Sequence, residues 1–200
     1  MYISASVPVS SHLLLRTQAV FRSSRLQTPS ATRMLSFLFF TVLCTSCLAA
    51  PMMHYSYSPS VGGGSGTSFS TEGDGRITAI RVWEISNAYI TGIQMRYGGI
   101  WSEIFGRAVG IAQELNLFDG ESIIQVSGKY HTNYVYQIKF LTSTGRSLVA
   151  GQPTYTSFNF YSTHPDAELK LLSGRFNSAG ITSVGAHWEV YMDQSNSTYA

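Results

Sequence analysis

The chain has 200 residues, 44% of them hydrophobic and 12% charged, the size and balance of one globular domain. Its formal charge of +2 is unevenly placed: Arg16, Arg22, Arg25 and Arg33 lie in the first fifty residues, which hold no Asp or Glu, and without them nine basic residues face eleven acidic ones. That acidic remainder argues against nucleic acid as a partner, and the position of both cysteines, Cys44 and Cys47, before Ala50 excludes disulfides, thiolate metal sites and a cysteine nucleophile from the rest of the chain.

Taken in order, the segment MLSFLFFTVLCTSCLAA (Met34 to Ala50) follows Arg33 with an apolar run and closes in small residues. This is the layout of a secretory signal peptide. It falls short of the roughly 20 apolar residues of a spanning helix, with a signal-anchor as the alternative. Residues 1–33 are Ser- and Arg-rich, and the pattern places the start of translation at Met34, with 1–33 an upstream extension. A secreted or extracellular protein is expected, without a membrane span. Residues 51–60 are expected to be flexible, 61–192 to form the domain and 193–200 a polar tail carrying the sequon Asn196-Ser197-Thr198.

From Arg76 onward the text is strand-like. RITAIRVWEI alternates Ile77, Ala79 and Arg81 against Thr78, Ile80 and Val82, and YITGIQMRY puts Ile93 and Met95 on one face. SIIQVSG, YVYQIKFL, SLVAG, TSFNFY, LKLLSG and GAHWEVYM are short runs rich in β-branched or aromatic residues. Asp74-Gly75, Gly98-Gly99, Asp119-Gly120 and Thr144-Gly145 supply turns between such runs. GRAVGIAQELNLF fits either a helix or a loop plus strand. The fold class is all-β.

The runs also echo one another. Ser127-Gly128 recurs as Ser173-Gly174 about 46 residues on, Ile138 as Val184 at the same separation, Ile93 precedes Ile138 by about 45 and Val82 precedes Val126 by about 44. Three copies of a multi-strand unit are too few for a propeller, and predict three small sheets sharing one core.

The stretches GGGSGTSF, ITGIQMRYGGIWSE, GESIIQVSGKY, TSFN and SGRF…VGAHWEVY, in this order from Val61 to Tyr191, resemble the jacalin-related lectins. The resemblance implies a β-prism I fold, with three four-stranded antiparallel sheets in pseudo-threefold array, and a sugar site built from three loops at one end. It also implies glycans or glycoproteins as partners, mannose-type sugars among them, with proteoglycans as a further class, and a mucosal or secretory-granule setting.

The resemblance carries over to three places. Ser65 and Gly66 match the family's Gly-Gly pair, with Ser65 in place of the first glycine; a flexible linker is the plainer reading of Gly62 to Gly64. Lys129, Tyr130 and His131 begin a recognition loop that continues through Thr132 and Asn133 and reads equally well as a solvated hairpin tip. Ala179, Gly180 and Thr182 belong to the loop where the family has Gly-x-x-x-Asp; here Ser178 replaces the glycine, Thr182 replaces the acid, and the loop is one residue longer. A hydrogen bond to a charged group contributes about 1.5–3 kcal/mol against about 0.5–1.5 for a neutral one. A shallow single-sugar site supplies only about −4 kcal/mol in all, so weak recognition is expected, aided by multivalent display. Thr182→Asp is expected to strengthen mannose-type binding.

Catalysis is not expected. His54, His131, His164 and His187 lack metal-ligand spacing, Glu121 and Asp166 read as solvated caps, and no paired carboxylates, nucleophile elbow or phosphate loop occurs. No cofactor or metal is implied. Lys129, Lys139, Arg146, Lys170 and Arg175 are dispersed rather than patched. The competing reading is a sugar-independent protein-interaction or granule-packing module on the same scaffold.

Overall fold

The computed structural model describes residues 54–191. The expected signal peptide, the upstream extension and the sequon lie outside them. The strands are Tyr55–Gly62 (β1), Thr67–Ser70 (β2), Ile77–Glu84 (β3), Ile90–Tyr97 (β4), Ile100–Trp101 (β5), Phe105–Gly106 (β6), Ile111–Asn116 (β7), Ile123–Tyr130 (β8), Val135–Thr142 (β9), Ser147–Gly151 (β10), Thr156–Tyr161 (β11), Glu168–Phe176 (β12) and Ile181–Glu189 (β13). No helix occurs among the described residues. GRAVGIAQELNLF therefore resolves as loop plus strand, and β1 pairs with β13 across Tyr55–Gly62, overlapping the stretch 51–60 expected to be flexible.

These strands form three antiparallel sheets around one core, the β-prism. Each is built on a central hairpin with a flanking strand on either side: β7 and β5/β6 flank β3–β4, β11 and β10 flank β8–β9, and β2 and β1 flank β12–β13. One sheet thus departs from the expected four strands, because its edge is broken into β5 and β6, both paired with β4. The third sheet is closed by the first two strands of the described chain.

Cross-strand register makes the repeat regular. Ile80 opposes Met95, Val126 opposes Phe140 and Leu172 opposes Ala186, and all six are fully buried. Ile80, Val126 and Leu172 are thus equivalent, 46 residues apart, and Val82 corresponds to Gly128 and Gly174 rather than to Val126. The two-residue slip preserves the face, since side chains alternate with period two. The layer made by Met95, Phe140 and Ala186 fills one slot with large, larger and small side chains, which is how three unequal copies reach close packing. Bulges between Ile77 and Ala79, and between Trp83 and Glu84, interrupt the expected alternation in β3.

At the end of the prism where β8 and β12 begin, Glu121 is buried rather than solvated. Its carboxylate accepts from Arg146 Nη1 at 2.7 Å, from the Phe118 N–H at 2.8 Å and from the Thr144 hydroxyl. Asp166, by contrast, is exposed as expected.

Candidate functional site

The opposite end carries two kinds of turn from each sheet. Hairpin turns lie at 85–89, 131–134 and 177–180, and crossover loops joining the two edges lie at 107–110, 152–155 and 63–66. The Gly-rich segment is therefore the crossover of the third sheet.

The three crossovers are variations on one design. Each is entered through a glycine at positive φ: Gly62 (111°), Gly106 (88°) and Gly151 (89°). In each, the next residue's N–H donates across the sheet: Gly63 to the Thr182 carbonyl at 3.0 Å, Arg107 to that of Thr91 at 2.7 Å, and Gln152 to that of Tyr136 at 2.7 Å. A Cβ on Gly62 would lie 2.3 Å from the Thr182 oxygen, so only glycine permits this approach. Two crossovers are then tied by a threonine: Thr182 Oγ1 donates to the Ser65 carbonyl at 2.6 Å, and Thr91 Oγ1 to that of Val109 at 2.6 Å. In the remaining copy Tyr136 holds the threonine's place.

This geometry gives Thr182 a structural role. The residue is fully buried and its hydroxyl proton is taken by the Ser65 carbonyl, so it tethers the Gly-rich loop. Thr91 shows that the tether belongs to the scaffold. Ala179 and Gly180 are likewise engaged, because Asn177 Oδ1 accepts from the Ala179 N–H at 2.9 Å and the Gly180 N–H at 3.1 Å. Gly180 is buried against Tyr89 and the Ile90 carbonyl.

Ser65 and Gly66 sit exposed over this loop, and Gly66 would bring a Cβ within 2.1 Å of the Phe176 oxygen. Arg175 Nη1 donates to the Gly66 carbonyl at 2.8 Å and Arg107 Nη1 to that of Ser178 at 2.9 Å, clamping both loops with cations. The 131–134 turn closes a second side. A Cβ on Gly63 would lie 1.8 Å from the Thr132 oxygen, and Asn177 Nδ2 donates to Tyr134 Oη at 3.5 Å.

The other recognition-loop residues point elsewhere. Lys129 lies on the outer sheet face and donates to Ser157 Oγ at 2.8 Å, Tyr130 is half-buried with its ring 6.3 Å from that of Phe158, and His131 is exposed, 4.6 Å from the Tyr155 ring. Two tyrosines were not anticipated here: Tyr89 and Tyr134 stack at 4.2 Å, beside Gly180. They are equivalent to each other and to Gly180, each immediately preceding the returning strand of its hairpin. That equivalence was available in the sequence once the register was fixed.

Among the described residues, the N–H groups of Gly64, Ser65 and Gly66 have no hydrogen-bond partner, and neither do the Asn133 carboxamide and the Ser178 hydroxyl beside them. No carboxylate lies in segments 62–66, 131–134 or 177–180. The arrangement can therefore offer neutral donors and short hydroxyls to a polar, uncharged ligand.

A pseudo-threefold prism with a glycine-rich crossover lying against two hairpin turns is the architecture of a carbohydrate-binding lectin. Residues 58–187 match the jacalin-like lectin domain, and the chain belongs to that family. It is 42% identical over 168 residues to zymogen granule membrane protein 16 of Rattus norvegicus, covering 82% of this chain and 99% of the relative. Among solved structures it is similar to a prostate-specific WGA16 glycoprotein lectin (33% identity, TM-score 0.58, 66% of this chain and 97% of that one). The fold is also shared by a mannose-binding jacalin-related lectin from Ananas comosus, with 21% identity and a TM-score of 0.56 over 68% of this chain and 99% of that one.

Proposed function

We propose that this chain is a secreted lectin that binds neutral glycans weakly through the end formed by 62–66, 131–134 and 177–180. The observation that carries this reading is the run of three unpartnered, exposed N–H groups at Gly64, Ser65 and Gly66, held over the Asn177 loop by the Thr182 tether. Sugar hydroxyls are acceptors for such groups, and side chains there would only obstruct the approach. Mannose-type sugars are the first candidates, following the family and the Ananas comosus protein. The relation to zymogen granule membrane protein 16 supports a secretory-granule setting, and the apolar leader a secreted one. Nothing in the site calls for catalysis.

Affinity for one sugar should fall at or above millimolar, since every contact is between neutral groups. The test is a dense glycan array probed with the full chain, followed by titration of methyl α-mannoside against amide resonances. Shifts confined to 64–66 and 132–133 are expected. Silence on every glycan at high density would overturn the reading.

One observation favours a second reading. With Thr182 buried and the Asn177 loop satisfied internally, the position that supplies the family's carboxylate offers nothing to a sugar. A scaffold that serves as a protein-interaction or granule-packing module fits this equally well. Capture of a granule protein that free mannose does not compete would decide for it.

A further inference from the structure

The crossover loops differ most where they end. Two of them close on glycine in the left-handed region, Gly66 at φ 93° and Gly110 at φ 98°. The third closes on Tyr155, at φ 77°. A side chain rarely adopts this backbone, and core packing does not account for one here, because Tyr155 is 56% exposed. The same copy has Tyr136 where the other two have the tethering threonines Thr91 and Thr182. The two departures touch, with ring centroids 4.5 Å apart at 62°.

They also extend an aromatic series. From Tyr155 the rings pass to His131 at 4.6 Å on one side and through Tyr136 to Tyr89 at 6.2 Å and Tyr134 at 4.2 Å on the other. His131 and Tyr134 are the two ends of one hairpin turn, joined by the His131 N–H to the Tyr134 carbonyl at 3.0 Å. The series therefore starts and finishes on the turn that packs against Gly63, and Tyr134 reaches Asn177. It borders the proposed sugar end and continues beyond it, with every ring half-buried or exposed.

We propose that Tyr155, backed by Tyr136 and His131, is a stacking subsite for a second or third sugar of a linear glycan whose end residue sits at the Gly64–Gly66 loop. This deepens the glycan reading above and rests on it. A pyranose presents an apolar C–H face and a hydroxyl rim, which matches a ring whose body is apolar and whose edge is a phenol. A glycan is favoured over a protein partner by continuity with the loop carrying the unpartnered N–H groups. The subsite would also explain how a site without a carboxylate reaches useful affinity.

The test compares methyl α-mannoside with linear α-linked mannotriose by titration of amide resonances, using the full chain and its Tyr155→Gly variant. Glycine is the residue of the other two copies, so the variant keeps the loop geometry. Mannotriose should bind the unaltered chain about tenfold more tightly than the monosaccharide, and Tyr155→Gly should abolish that gain while leaving the monosaccharide constant unchanged. Tyr155→Phe should keep most of it. Equal mannotriose affinity in both proteins, an equal loss for both sugars, or self-association that depends on Tyr155 would each overturn the subsite while leaving the glycan reading in place. Failure of both sugars to bind the unaltered chain would overturn the glycan reading, and the subsite with it.

Discussion

The Thr182 hydroxyl donates to the carbonyl of Ser65 at 2.6 Å, from a side chain with no exposure to solvent. Thr182→Val keeps the shape and removes the bond, leaving the Ser65 oxygen without its donor, and should cost about 1 kcal/mol. Thr182→Asp sets a carboxylate against a carbonyl oxygen with no proton between them, so it should destabilise by roughly 1–3 kcal/mol and fail to raise mannose affinity, contrary to what the family pattern alone predicts. Urea unfolding of both variants measures this. A Thr182→Asp protein that is as stable as its parent and binds mannose better would show the loop can reopen.

Asn177 mimics a ligand for its own loop. One side-chain oxygen takes both the Ala179 and the Gly180 N–H. Asn177→Ala should free these donors, and hydrogen exchange at both amides should quicken by about tenfold. Asn177→Asp retains the acceptor and adds charge, beside a loop whose Ser178 carbonyl already holds Arg107; charge-assisted bonds are about twice as strong. Exchange should then stay slow. Equal acceleration in both variants would deny the oxygen its role.

Neighbouring glycines of the Gly-rich loop differ in the room they leave for a side chain. A Cβ on Gly63 would meet the Thr132 carbonyl at 1.8 Å, whereas one on Gly64 would meet nothing within 4 Å. Gly63→Ala should therefore push the crossover off the 131–134 turn, moving the Thr132 and Asn133 amide resonances and weakening sugar binding. Gly64→Ala should pay only the left-handed strain of φ 66°, about 1–2 kcal/mol, with changes confined to the loop. Matching shifts at Thr132 in the two variants would refute the contact.

Much of this was legible in the sequence. Strand text, turn residues and a period near 45 residues were sufficient for three sheets around one core, because alternation and turn chemistry are local signals. The register was out by two at Val82, since a slip of two keeps every apolar residue inward; only the opposition of Ile80 to Met95 corrects it. The break into β5 and β6 has no local signal in the sequence.

The neighbourhood of the candidate loops was legible in the sequence, but their exposure and bonding were not. Ser65, Gly66, Ala179, Gly180 and Thr182 do gather, because the first two described strands complete the third sheet. Which of them face outward depends on who takes each hydrogen bond, and that is a tertiary fact. Lys129 looks like a loop cation but is turned to Ser157 by the pleat of β8. Glu121 looked solvated because Arg146 and Thr144, its partners, lie more than twenty residues away.

Acid should unfold the domain in two stages. Burial lowers the pKa of His187 below its ordinary 6.5, so the folded state resists protonation that the unfolded chain accepts. Stability from this source is complete above pH 6.5 and declines as pH falls through the folded value. His187→Gln, which can still meet Ser173 and Tyr55, should flatten that limb. Glu121 acts lower. Burial alone would raise its pKa, but hydrogen bonds from Thr142, Thr144 and the Phe118 N–H, with the Arg146 charge, outweigh it and hold the carboxyl at about 2 against an ordinary 4.5. Its contribution is therefore present above pH 4.5 and lost between there and about 2. Glu121→Gln should lower stability at neutral pH and remove most of the steep loss below pH 4.5. Urea midpoints at about pH 7.5, 5.5 and 3 separate the two limbs; a Glu121→Gln protein with the parent's slope below pH 4.5 would place the acid sensitivity on another carboxylate.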